Sequence, residues 1–188
     1  MSAFRSVFFA VALLVAATSV HAAVVEGVRL DDRITIGGRP LVLNGAGVRE
    51  KLVLKIYVAA LYLPKRAKDV RGVFASAPRR IQMNMLMTVS SGEIIDALLD
   101  TMADNSSAAE LAGVKAQTDQ LVALIRPFKE VRKGDAVMLD FVDGGTNLGW
   151  NGKFQGRIPG EAFNRALTRI WLGPKPVQSD LKRKLLGG

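Results

Sequence analysis

Three side chains in one short stretch could hold an anion. Arg49, Lys55 and Tyr57 occupy odd positions in residues 43–64, LNGAGVREKLVLKIYVAALYLP. Alternate residues of a strand share a face, so a guanidinium, an ammonium and a phenol fall along one side. A guanidinium stays protonated and offers a planar fork of donors matched to two oxygens. A phenol can donate to the same anion or to a water beside it. Two glycines, Gly45 and Gly47, precede the arginine. Glycine accepts unusual backbone angles and close backbone approach, so a bend over Asn44–Gly47 is expected to hold Arg49 at the mouth of whatever the strand encloses. Met83, Met85 and Met87 alternate in a second stretch. Such flexible, polarisable side chains suit a pocket for varied apolar ligands, Met85 at its centre, or plain sheet core. From spacing alone, Arg49 also reads as a surface residue capping loop carbonyls, Tyr57 as a core tyrosine and Lys55 as a solvated lysine.

What is missing narrows the chemistry further. The chain has no Cys, and its one His is His21. Met1–Ala22 reads as a signal peptide: Arg5 supplies the positive start, Val7–Ala17 an apolar run, and Val20-His21-Ala22 a small-x-small cleavage site. That run falls short of the roughly 20 residues needed to span a bilayer. Cleavage after Ala22 would leave one domain, 23–188, without His or Cys. That excludes Ser-His-Asp and Cys-His catalysis, the usual transition-metal sites and disulfides; no cofactor is implied. The expected product is exported and, in a Gram-negative cell, periplasmic. The formal charge of +9 falls to +8 with the loss of Arg5. The basic residues are dispersed and no aromatic residues interleave with them as a base-stacking platform requires, so nucleic acid is not an expected partner. Weak contact with anionic membrane surfaces stays open, and a monomer is expected.

The elements that must position these residues follow from periodicity. Val24–Leu30 reads as a strand, Asp31-Asp32 as a turn, and Gly37-Gly38 as a hairpin whose return strand is Pro40–Leu43. Leu52–Leu63 reads as a long strand and Ile81–Val89 as an alternating one. Ser90-x-x-Glu93 and Ser107-x-x-Glu110 are capping boxes opening two helical stretches, the second reaching about Ile125 with an interruption at Gly113. Ala136–Val142, Asn147–Trp150 and Lys153–Ile158 form a meander whose Asn151-Gly152 signals a tight hairpin. A helix over Glu161–Leu172 ends at Gly173, and Ser179 caps a last helix to Leu186. Strands, helices, a meander, then helices describe an α+β fold: an antiparallel sheet with helices packed on one face.

Residues 43–64 resemble the opening of the chalcone isomerase fold, in its bacterial chalcone isomerase-like branch. Residues 163–187, FNRALTRIWLGPKPVQSDLKRKLLG, resemble that family's C-terminal signature. The resemblance implies a large sheet with helices on one face, an open-faced sandwich with a ligand cleft between the layers. It implies that Arg49 reaches the cleft, assisting a phenolate or enolate-like charge in enzymes and gripping a carboxylate in fatty-acid-binding relatives. Tyr57 falls where the enzymes carry a cleft threonine. The enzymes' tyrosine and asparagine on the following helix correspond to Ile94 and Thr101, and their later threonine to Ile170. Losing that network removes the positioning and electrostatic contributions to rate.

The expectation is therefore a non-catalytic protein holding a small lipophilic anion, such as a fatty acid, at Arg49, Tyr57, Lys55 and Met85. The alternatives are an isomerase or lyase on another substrate, with Tyr57 or Lys55 as acid–base group, and an envelope structural or partner-binding protein.

Overall fold

A computed structural model describes residues 22–188. The signal-peptide expectation concerns residues outside this range, apart from Ala22. Eleven strands and six α-helices follow one another: β1 Ala23–Val25, β2 Val28–Leu30, β3 Arg33–Ile36, β4 Arg39–Lys51, β5 Leu54–Leu63, α1 Val70–Phe74, β6 Arg79–Met85, β7 Val89–Ser90, α2 Ser91–Asp104, α3 Ala108–Gly113, α4 Lys115–Ile125, β8 Glu130–Val131, β9 Ala136–Val142, β10 Gly145–Trp150, β11 Lys153–Pro159, α5 Glu161–Leu172 and α6 Ser179–Leu185. Seven strands form one antiparallel sheet in the order β11-β10-β9-β6-β5-β4-β3. The chain is thus α+β, as expected.

The sheet has two apolar faces because β5 is apolar at every position from Val58 to Leu61. Ala59, Leu61 and Leu63 pack with Ile81, Leu139 and the buried side of α5, including Phe163, Leu167 and Trp171. Val58, Ala60 and Tyr62 pack with Leu30, Ile36, Leu41 and Leu43 on the opposite face. The helices cover the first face, and the β1–β2 hairpin contributes to the second. Both capping boxes form, with Ser90 and Ser107 each accepting an N–H from its glutamate and that glutamate reaching back.

Four expectations change. The strand expected over 24–30 is two strands, split by a turn at Glu26-Gly27 with positive φ. The strand expected from Leu52 begins at Leu54, because Leu52 and Val53 form a turn joining Lys51 to Leu54. β6 ends at Met85, so Met87 leaves the stripe, and Val89 belongs to the separate β7–β8 pair. Gln178, not Ser179, occupies the N-cap position of α6, without a side-chain cap bond.

Candidate functional site

The chain stays in strand pairing across Asn44–Gly47. β4 continues through it with Asn44 as an extra residue in its pairing with β5: Leu43 lies opposite Tyr62 and Gly45 opposite Leu61. Such a bulge flips the side-chain phase of a strand. Leu41 and Leu43 face one layer, and beyond Asn44 it is Ala46 and Val48 that face it. Gly45, Gly47 and Arg49 consequently turn toward the helices.

The two glycines are there for α6. A Cβ on Gly45 would collide with the Lys184 carbonyl oxygen and lie 2.8 Å from that of Leu185. A Cβ on Gly47 would lie 2.9 Å from Lys184 Cδ and 3.1 Å from Leu181 Cδ1. Asn44 locks the contact. Its Nδ2 donates to the carbonyls of Leu185 at 2.7 Å and Ala67 at 3.0 Å, and its Oδ1 accepts the Ala67 N–H at 2.7 Å. The Asn-Gly-Ala-Gly segment is therefore a seat for the C-terminal helix, and it carries Arg49 out at its end.

Arg49 faces Tyr57 across the β4–β5 pair, and Tyr57 faces Met85 across β5–β6. Directly opposed residues project from the same face, so the three form one row beneath the helices. Met85 is buried. Tyr57 Oη accepts a hydrogen bond from Trp171 Nε1 of α5 at 3.1 Å. Burial pushes the phenol's pKa up; the Trp171 bond and the nearby Arg49 charge act the other way. The half-buried Arg49 donates to the Glu50 carbonyl and reaches Gln178 Oε1 at 3.4 Å. Gln178 Oε1 also accepts the Glu50 N–H at 2.8 Å. Among the described residues, no carboxylate pairs with Arg49.

Lys55 does not join the row. A second bulge places Glu50 opposite Lys55 while Arg49 stays opposite Tyr57, leaving Ile56 as the extra residue. Lys55 turns to the β1–β2 hairpin, where Nζ donates to Glu26 Oε1 at 2.8 Å. That bond raises its pKa. At the positions where the resemblance places the enzymes' tyrosine and asparagine, Ile94 packs against the core and the Thr101 hydroxyl donates back to the Ala97 carbonyl at 2.7 Å.

Sequence reading missed Gln178 and the pairing of Trp171 with Tyr57. Both residues lie more than 100 positions from their partners, and no local pattern reports such contacts. The Asn44 bulge did leave a trace, the switch of apolar parity from 41 and 43 to 46 and 48. Two surface depressions lie away from the row. One, of about 220 Å³, is lined by Ile36, Arg39, Pro78, Asp143 and Arg157. The other, of about 200 Å³, is lined by Glu110, Val114, Arg165 and Arg169.

Comparison with known proteins follows the same lines. The family model described as chalcone isomerase-like matches residues 22–187. Among solved structures, an Arabidopsis thaliana fatty-acid binding protein superposes with a TM-score of 0.69 at 11% identity, covering 88% of this chain and 96% of that one. At that identity the likeness is one of fold. No curated protein matches the chain by sequence.

Proposed function

The chain belongs to the chalcone isomerase-like family, and we propose that it binds a small lipophilic carboxylate, such as a fatty acid, without transforming it. One observation carries this reading: a half-buried guanidinium that, among the described residues, has no carboxylate partner stands in a row with a partly buried phenol and a buried methionine. Its present partners are an amide oxygen and a backbone carbonyl. A carboxylate oxygen would replace Gln178 Oε1 on Arg49, exchanging a neutral acceptor for a charged one, which makes the stronger bond. Gln178 ends the segment between α5 and α6, so the ligand's entry parts that segment from β4. The apolar tail then lies along Tyr57 and Met85. The fatty-acid binding activity of the structural neighbour is compatible with this assignment.

Export to the periplasm, argued from Met1–Ala22, belongs to the same proposal. N-terminal sequencing of protein recovered from a periplasmic fraction should begin at Ala23.

Calorimetric titration with dodecanoate tests the binding. Arg49→Ala should weaken it at least tenfold, the order lost with one charge-assisted hydrogen bond. Dodecanol should bind worse than the acid. Equal binding by Arg49→Ala and the parent overturns the assignment.

A further inference from the structure

The turn between β4 and β5 exposes what folded proteins usually bury. Leu52 and Val53 are each 93% exposed, and Leu54 is 54% exposed. Leu52 also has φ +56. A leucine is costly in that backbone region, which glycine occupies freely. Two-residue hairpin loops favour Gly, Asn or Asp there. The chain thus places aliphatic side chains where both solvent and backbone geometry oppose them.

The sheet's topology puts further groups at the same end. Antiparallel alternation brings the β4–β5 turn, the end of β6, the start of β9 and the β10–β11 turn to one edge. Phe154, 68% exposed, follows the β10–β11 turn. It lies on the order of 20 Å from the Leu52–Val53 tip at the usual strand spacing. Lys51, Lys133 and Lys153 lie at this edge, exposed, and among the described residues none is in an ion pair. The acids nearby are mostly engaged: Glu26 with Lys55, Glu130 with Arg132, and Asp135 with the Asn151 amide at 2.8 Å. Glu50 is the exception. The edge therefore presents aliphatic and aromatic tips among uncommitted ammonium groups.

We propose that this edge docks on a lipid bilayer bearing anionic headgroups, with Leu52 and Val53 inserted below the headgroups and Lys51, Lys133 and Lys153 at their level. Aliphatic tips with a lysine rim match the layered polarity of that interface. A second copy of the chain fits less well. A narrow two-residue tip offers much less than the roughly 800 Å² per partner of a stable protein interface. The proposal goes beyond ligand binding and stands without it.

The chain has no Cys, so one introduced thiol can report on one place. A polarity-sensitive fluorophore on Val53→Cys should brighten and shift to the blue with vesicles of equimolar phosphatidylcholine and phosphatidylglycerol. The same label on Thr35→Cys, at the opposite edge, should not respond. Leu52→Gly/Val53→Ser keeps a favourable hairpin loop and should melt no lower than the parent, while its vesicle affinity falls at least about tenfold. Lys133→Gln/Lys153→Gln should lose the preference for phosphatidylglycerol. Three outcomes overturn the proposal: no response at position 53, equal vesicle binding by the loop variant, or a position-53 signal that rises with protein concentration in the absence of lipid.

Discussion

Gly45→Ala is the sharpest test of why this chain carries Asn-Gly-Ala-Gly before its arginine. The new methyl would collide with the Lys184 carbonyl oxygen and sit 2.8 Å from the Leu185 oxygen and 3.0 Å from the Leu185 carbonyl carbon. All three are backbone atoms, so no side-chain rotation relieves the clash and α6 must move away. Overpacking of this kind costs about 1–3 kcal/mol. The movement also stretches the 2.7 Å bond from Asn44 to Leu185, worth about 1 kcal/mol. The expected loss is about 2–4 kcal/mol, a large share of the roughly 5–15 kcal/mol typical of a domain. Urea unfolding followed by circular dichroism would show it as a lower midpoint with an unchanged slope. Gly92→Ala is the matching control. Its Cβ meets only Ser90 Oγ at 3.9 Å, and near the start of α2 the exchange should be neutral or gain up to about 1 kcal/mol. A Gly45→Ala protein within about 0.5 kcal/mol of the parent, well inside the ordinary range for surface changes, would refute the seat for α6.

Other consequences are open to measurement. Tyr57→Phe leaves the Trp171 indole N–H without its acceptor, which should cost about 1–3 kcal/mol and alter tryptophan fluorescence. At high pH the two tyrosines, Tyr57 and Tyr62, should resist ionisation, since burial raises both and takes Tyr62 to about 12. The unfolded chain ionises near the ordinary tyrosine value of 10.0, so unfolding releases protons above it and stability should fall as pH rises from there toward about 12. Absorbance near the phenolate band, compared with unfolding midpoints, checks the sign. The Arg169 guanidinium and the Ser107 cap hold Glu110 down to about 2. Its contribution is complete above the ordinary value of 4.5 and should be lost as pH falls toward about 2. Carboxyl chemical shifts in Glu110 and in an Arg169→Gln variant, where the titration should move up, would show it.

Local chemistry was the legible part of the sequence. Ser90 with Glu93, and Ser107 with Glu110, signal helix starts over four residues, and both boxes form. Asn151-Gly152 marks the turn between β10 and β11, and the helix over Glu161–Leu172 has the expected bounds. Arg49 stands out from its motif in the sequence, and the structure pairs it with Tyr57. Pairing register was not legible. Whether Lys55 shares a face with Arg49 depends on Ile56 being an extra residue, and alternation alone assumes there is none. Leu52 and Val53 carry no Gly, Pro, Asn, Asp or Ser to signal a turn, so periodicity alone extends the strand through them. Tertiary demands escaped as well. The Gly45 contact with Lys184 is set by a helix that begins 134 residues later. The buried Arg79 is a similar case. It is 2% exposed, donates to Thr168 Oγ1 at 3.0 Å and stacks 4.7 Å from the Phe141 ring. Burial lowers its pKa to about 10, and nothing local distinguishes it from the neighbouring Arg80, which pairs with Asp140 at 2.5 Å.

The order of synthesis meets this architecture in one place. The groove that Gly45 and Gly47 leave in β4 is filled by α6, and the Asn44 amide finds its Leu185 acceptor only across 141 positions. Until residues 181–185 have emerged from the ribosome, the strand bearing the arginine has a bare backbone on its inner side. A nascent chain stopped short of Leu181 therefore leaves the Asn44–Gly47 seat unfilled.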